Sequence, residues 1–222
     1  MRTIFFLFVI YIIFSSSAKA EEIPQHIVNK CREVVRKENP VKIIYNYGEL
    51  KLDYSKNTEE VSKSCGDRAA GCFHGRGGCG YNYGNRSMQI GDYVCTFPYA
   101  TVTCDFSGTY VDLTREYSGC SARAVLRHEL QHFMIWKTAK EQMLKEMKIS
   151  GTNFALQNIK VCKEYCNNSS GDELAEELRK IASKWKEIRN VNDEQLDKID
   201  HNHDMEVNYT VCAPYSLKII SE

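Results

Sequence analysis

The stretch Val125-Leu126-Arg127-His128-Glu129-Leu130-Gln131-His132-Phe133-Met134 decides how the rest of this chain is read. Helix-forming residues run around it at a 3.6-residue period, from Ser121, a plausible N-cap, to Lys148, with Gly151 expected to end the helix. On such a helix His128 and His132 are one turn apart, so both imidazoles project from one side and reach a single metal ion. Glu129 then stands beside the metal rather than on it. That is the arrangement hydrolysis needs: zinc lowers the pKa of a bound water and a neighbouring carboxylate takes its proton.

Uncharged Leu130 and Gln131 inside the motif and apolar Phe133 and Met134 after it imply a helix buried on most sides, with only its metal face open. The chain here resembles the zincin metallopeptidases. That resemblance implies an α+β, zincin-like fold: a small, mainly antiparallel sheet followed by a helical half that carries the active-site helix, stabilised by disulfides. It also implies Zn2+ as cofactor, Glu129 as the catalytic base, and a protein or peptide substrate.

A catalytic zinc takes three protein ligands and leaves one position for water. Metzincins place Gly and His where this chain has Ile135 and Thr138, which excludes that class. No acid occurs between Glu146 and Glu164, where a thermolysin-like glutamate would fall, and Glu173, Glu176 and Glu177 read as an exposed helix face paired with Arg179 and Lys180. What remains is Leu196 to Glu206, in which His201 and His203 stand among several acids in a chain of six histidines. From Tyr93 to His203 the order of Cys95, the His128 to His132 motif, Cys162 and Leu196-Asp197 resembles a bacterial family of predicted secreted zinc-dependent proteases. By that resemblance the metal ligands are His128, His132 and either His201 or His203, with His201 preferred because Asn202 tolerates the turn its neighbour requires.

The ends and the composition set the context. Met1-Arg2-Thr3, the apolar run Ile4 to Phe14 and Ala18-Lys19-Ala20 form the three parts of a secretory signal, so residues 1–20 are expected to be removed and 21–222 to fold as one metallopeptidase domain. The expected location is secreted or periplasmic, with no stable membrane association after cleavage. Without Arg2 and Lys19, the balance of 29 basic and 29 acidic residues becomes a net charge of −2, which leaves no electrostatic footprint for a nucleic-acid backbone. All ten cysteines follow the signal, an even number that argues for disulfides whose pairing spacing alone does not give. Oligomeric state is not legible.

Further expectations can be placed along the chain. Gln25 to Lys37 has helical apolar spacing; Val41 to Tyr54 reads as a hairpin or two edge strands about Gly48; Cys65 to Gly84, rich in glycine, reads as a cross-linked loop. Cys65, Cys72, Cys79 and His74 raise a zinc knuckle, against which the oxidising context favours disulfides. Met88 to Phe97 and Ala100 to Leu113 read as strands around Pro98, with Cys95 and Cys104 as staples. Helices are expected over 153–166, 172–189 and 193–200, with Cys162 and Cys166 bridging to other parts of the fold. The competing functional reading is a non-catalytic binding or toxin-like protein on a degenerate peptidase scaffold.

Overall fold

The computed structural model describes residues 22–66, 69–167 and 170–204, and for 199–204 the backbone alone. The signal-like segment therefore lies outside the described residues. In chain order the elements are α1 (Gln25–Glu38), β1 (Val41–Asn46), β2 (Lys51–Lys56), α2 (Thr58–Cys65), β3 (Gly71–His74), β4 (Gly78–Ile90), β5 (Tyr93–Asp105), β6 (Tyr110–Thr114), α3 (Gly119–Gln157), β7 (Lys160–Cys162) and α4 (Ser170–Asp204). The fold is α+β, but there are two mixed sheets where one mainly antiparallel sheet was expected.

The larger sheet has the order β1-β5-β4, with β7 also on β5; the smaller has the order β2-β6-β3. β1 runs parallel to β5 and β2 parallel to β6, so of the two readings about Gly48, a hairpin or two edge strands, the second holds, with the strands in different sheets. Gly48 makes that crossing with φ +63, where a Cβ would meet Ser107 at 2.8 Å.

β4 and β5 form a long antiparallel ribbon that passes straight through Pro98. The missing N–H does no damage for a visible reason. Ala100 donates toward the β1 flank, and residue 98 has the same direction, but β7 ends its pairing at Thr96 and β1 begins at Ala100. Pro98 sits in the gap between them, so no ladder bond is lost.

Two long helices cover the sheets. α3 has 39 residues, which makes it about 58 Å long. Of its buried positions, Glu129, Trp136, Ala139, Met143, Met147, Gly151 and Ala155 repeat every three, four or seven residues and form a stripe, which Leu144 widens beside Met143. Gly151 does not end the helix as expected. It lies inside it, where an added Cβ would come within 2.6 Å of Val41 and 3.2 Å of Leu178. The glycine is there so that β1 and α4 can approach.

α4 likewise continues through 172–189 and 193–200 as one helix rather than two. Leu174, Leu178 and Ile181 join Val41, Val102, Phe106, Trp136 and Met147 in the main core, while Cys31, Val35, Phe97 and Ala155 form a second core under α1.

The described disulfides are Cys31–Cys95, Cys65–Cys72, Cys79–Cys104 and Cys162–Cys166. Contrary to expectation, Cys95 and Cys104 do not staple two strands around Pro98: both lie on β5, Cys95 bonded to Cys31 of α1 and Cys104 to Cys79 of β4. Cys162 and Cys166 pair with each other rather than with distant partners, because β7 replaces the helix expected there and a short loop brings them together.

Candidate metal centre

Glu129 lies on the apolar stripe of α3, which is why a carboxylate is buried to 6 % exposure. His128 and His132 flank that stripe at the edge of the core, with side chains 27 % and 13 % exposed. Their rings meet edge to face at 4.7 Å, and the two Nε2 atoms are 3.1 Å apart.

A third group arrives from α4. Asp197 Oδ1 lies 3.0 Å from His132 Nε2 and 3.6 Å from His128 Nε2. Ligands held tetrahedrally at 2.0–2.1 Å from one ion stand about 3.3 Å from each other. The three atoms match that triangle, and they qualify by chemistry as well, with two imidazoles and a carboxylate. These residues therefore fit a zinc ion.

Behind His132, Asp193 Oδ1 lies 3.0 Å from Nδ1, and Asp193 is itself paired with Arg189 at 3.5 Å. Asp193 and Asp197 are one turn apart on α4, so one helix face supplies both the candidate ligand and the group that orients its neighbour. Burial works against a charge on His132, but the hydrogen bond to Asp193 and the charges of Asp197 and Glu129 outweigh it and hold its pKa above the ordinary histidine value.

Glu129 is shifted too. Burial pushes its carboxyl up, opposed by His128, His132 and a hydrogen bond donated by the backbone N–H of Phe73. That contact is possible because β3 passes directly over α3 at Gly71, where a Cβ would come within 2.5 Å of Val125 and 2.8 Å of Glu129. The segment expected to be an irregular loop is thus a strand with a specific task. Gly71 allows backbone to lie against the acid, and at Gly75 an added Cβ would meet the Trp136 ring at 2.5 Å.

Of the residues singled out from sequence, the structure brings together His128, Glu129 and His132. His201 and His203 fall on the last turn of α4, where side chains lie outside the described residues. Glu173 and Glu176 are exposed and Glu177 half-buried, with Glu176 paired to Arg179, as their charge pattern implied. Asp193, Phe73 and Gly71 had not been singled out. Asp193 had a legible signal, its i, i+4 spacing to Asp197, whereas Phe73 acts through its backbone and left none.

No protein family, no curated protein and no solved structure matches the chain. The site stands on its own geometry.

Proposed function

We propose that this protein is a secreted, zinc-dependent endopeptidase, with His128, His132 and Asp197 as metal ligands and Glu129 as general base. The observation that carries this reading is the near-equilateral triangle of His128 Nε2, His132 Nε2 and Asp197 Oδ1, with edges of 3.1, 3.0 and 3.6 Å, beside a buried glutamate. Zinc bound there would polarise a substrate carbonyl and supply a water of lowered pKa.

The protein's own groups do the rest. Glu129, held by the Phe73 amide and kept from bulk water, is placed to take a proton and later return it to the leaving amine. Asp193 fixes the ring of His132 with Nε2 toward the site. Export is supported by the signal-like N-terminus and by the disulfides. Among the described residues no helix is long and apolar enough to cross a membrane.

The test is the Glu129→Gln variant of the signal-free protein. It should keep about one zinc per chain while cleavage of a denatured protein mixture falls about 100- to 10,000-fold. Chelator should abolish the wild-type activity. Undiminished cleavage by the variant would overturn the mechanism.

One observation favours a second reading. His132 lies between two carboxylates, at 3.0 Å from each, and as an imidazolium it would clasp α3 to α4 with no metal at all. That is the site of a binding protein on a peptidase-like scaffold. A protein that takes up no zinc and cleaves nothing would establish it.

A further inference from the structure

A second group of metal-ligating side chains lies on the opposite face of the small sheet. Cys72 and His74 alternate along β3, so they project from the face away from α3, and Cys65 descends onto them from the end of α2. Both sulfurs and a nitrogen of the His74 ring lie within 4.8 Å of one another.

Beneath them is Asp112, the cross-strand partner of Cys72 and a fully buried carboxylate. Its Oδ2 takes His74 Nε2 at 2.9 Å and also the ammonium of Lys56, while Oδ1 has no hydrogen-bond partner among the described residues. Tyr110 stacks on the imidazole at 4.3 Å and fixes its plane. A carboxylate buried this deeply is costly unless it is paired, and here Lys56 and His74 pair it.

Exposure sets this disulfide apart. Cys65 is exposed, whereas the other cysteines of the described disulfides are buried or half-buried, and both members of Cys31–Cys95 are fully covered. Thiol-disulfide exchange needs access to one sulfur, so a reductant reaches Cys65–Cys72 first.

We propose that Cys65, Cys72 and His74 form a redox-gated site for a thiophilic divalent cation such as zinc, separate from the centre at His128. With the disulfide closed, the sulfurs offer no charge and the site is silent. A dithiol opens it: the S–S bond breaks and takes two electrons and two protons, and the dithiol closes to its own disulfide. Cation binding then releases both thiol protons, leaving two thiolates and one imidazole nitrogen as ligands while Asp112 holds the other ring nitrogen. The charges close as well, since two thiolates and Asp112 balance the cation and Lys56. The inference does not depend on the proposed peptidase activity.

The test uses the signal-free protein carrying His128→Ala and His132→Ala, so that the other centre takes no metal. Mild treatment with a water-soluble phosphine, followed by alkylation and peptide mapping, should show Cys65 and Cys72 opened before the other cysteines. Cadmium added to a portion of the reduced protein that has not been alkylated should produce thiolate-to-cadmium charge-transfer absorption, absent from the oxidised protein. His74→Ala should weaken cadmium binding at least about tenfold, as expected for loss of one ligand. Cys65→Ala, at an exposed position that leaves the core intact, should lose the two-thiolate spectrum. Another disulfide opening first, no band after Cys65 and Cys72 are shown to be open, or an unchanged affinity in His74→Ala would each overturn the proposal.

Discussion

Asp193 Oδ1 lies 3.0 Å from His132 Nδ1, on the side of the ring opposite the candidate metal. A carboxylate there fixes the tautomer and raises the basicity of Nε2, and removing such a partner typically costs 10- to 100-fold in metal affinity. Asp193→Ala is therefore expected to weaken zinc about 10- to 100-fold in competition with a chromophoric chelator, with little change in helical circular dichroism. Unaltered affinity would show that the pair merely clasps the two helices.

Asp197 carries a separate prediction. Its side chain is 58 % exposed, so Asp197→Ala should fold normally yet retain less than about a tenth of the bound zinc, since two imidazoles alone leave the site short of its usual three ligands. His201→Ala and His203→Ala should keep their metal. The reverse pattern in metal analysis would return the third ligand to one of those histidines.

Gly151 sets helix propensity against packing. Alanine gains about 1 kcal/mol of propensity in a helix interior, whereas overpacking costs about 1–3 kcal/mol. The new Cβ would come within 2.6 Å of Val41 Cγ2 in a core where β1 and α4 both close on α3, so packing wins. Gly151→Ala should lower Tm by a few degrees, and Gly151→Leu by considerably more. A rise in Tm for the alanine variant would mean that β1 is free to move away.

Glu146 ties the two long helices together: Lys184 Nζ lies 2.8 and 2.9 Å from its two oxygens, and Trp185 Nε1 donates to Oε2 at 2.7 Å. The bond to Lys184 above all, helped by Trp185, holds its pKa below the ordinary carboxylate value. With the folded pKa depressed, the unfolded chain takes up the proton first. The stabilisation is thus fully present above the unfolded value of about 4.3 and is lost as pH falls through the folded pKa. Glu146→Gln should cost about 1 kcal/mol in urea unfolding at pH 7. The difference from wild type should fade below about pH 4, and a constant difference would contradict the assignment.

How far the residues could be read in advance depended on whether their signal was local. Gln25 to Lys37 is helical as its spacing implies, because apolar periodicity reports directly on which face is buried. The glycines misled in both directions. By composition Gly151 reads as a stop and the glycines of 71–84 as a loop, yet Gly151, Gly71 and Gly75 each make room for a neighbour that sequence does not name. The break expected between 189 and 193 was also absent, since the helix is carried across it by contacts with α3 through His132, Asp193 and Asp197.

The sequence by itself determined the pair His128 and His132 with Glu129 between them, because one turn of helix fixes their relative placement whatever surrounds it. It also determined that the cysteines follow an export-like signal. Only the tertiary structure decided which carboxylate meets those imidazoles, that Phe73 holds Glu129, and how the described cysteines pair. Apart from Cys65–Cys72 and Cys162–Cys166, each of these joins groups at least 25 residues apart, with Cys31–Cys95 spanning 64 and Asp197 reaching the motif from a separate helix further still along the chain. Such distances are set by how whole helices and sheets pack, and no local pattern records them.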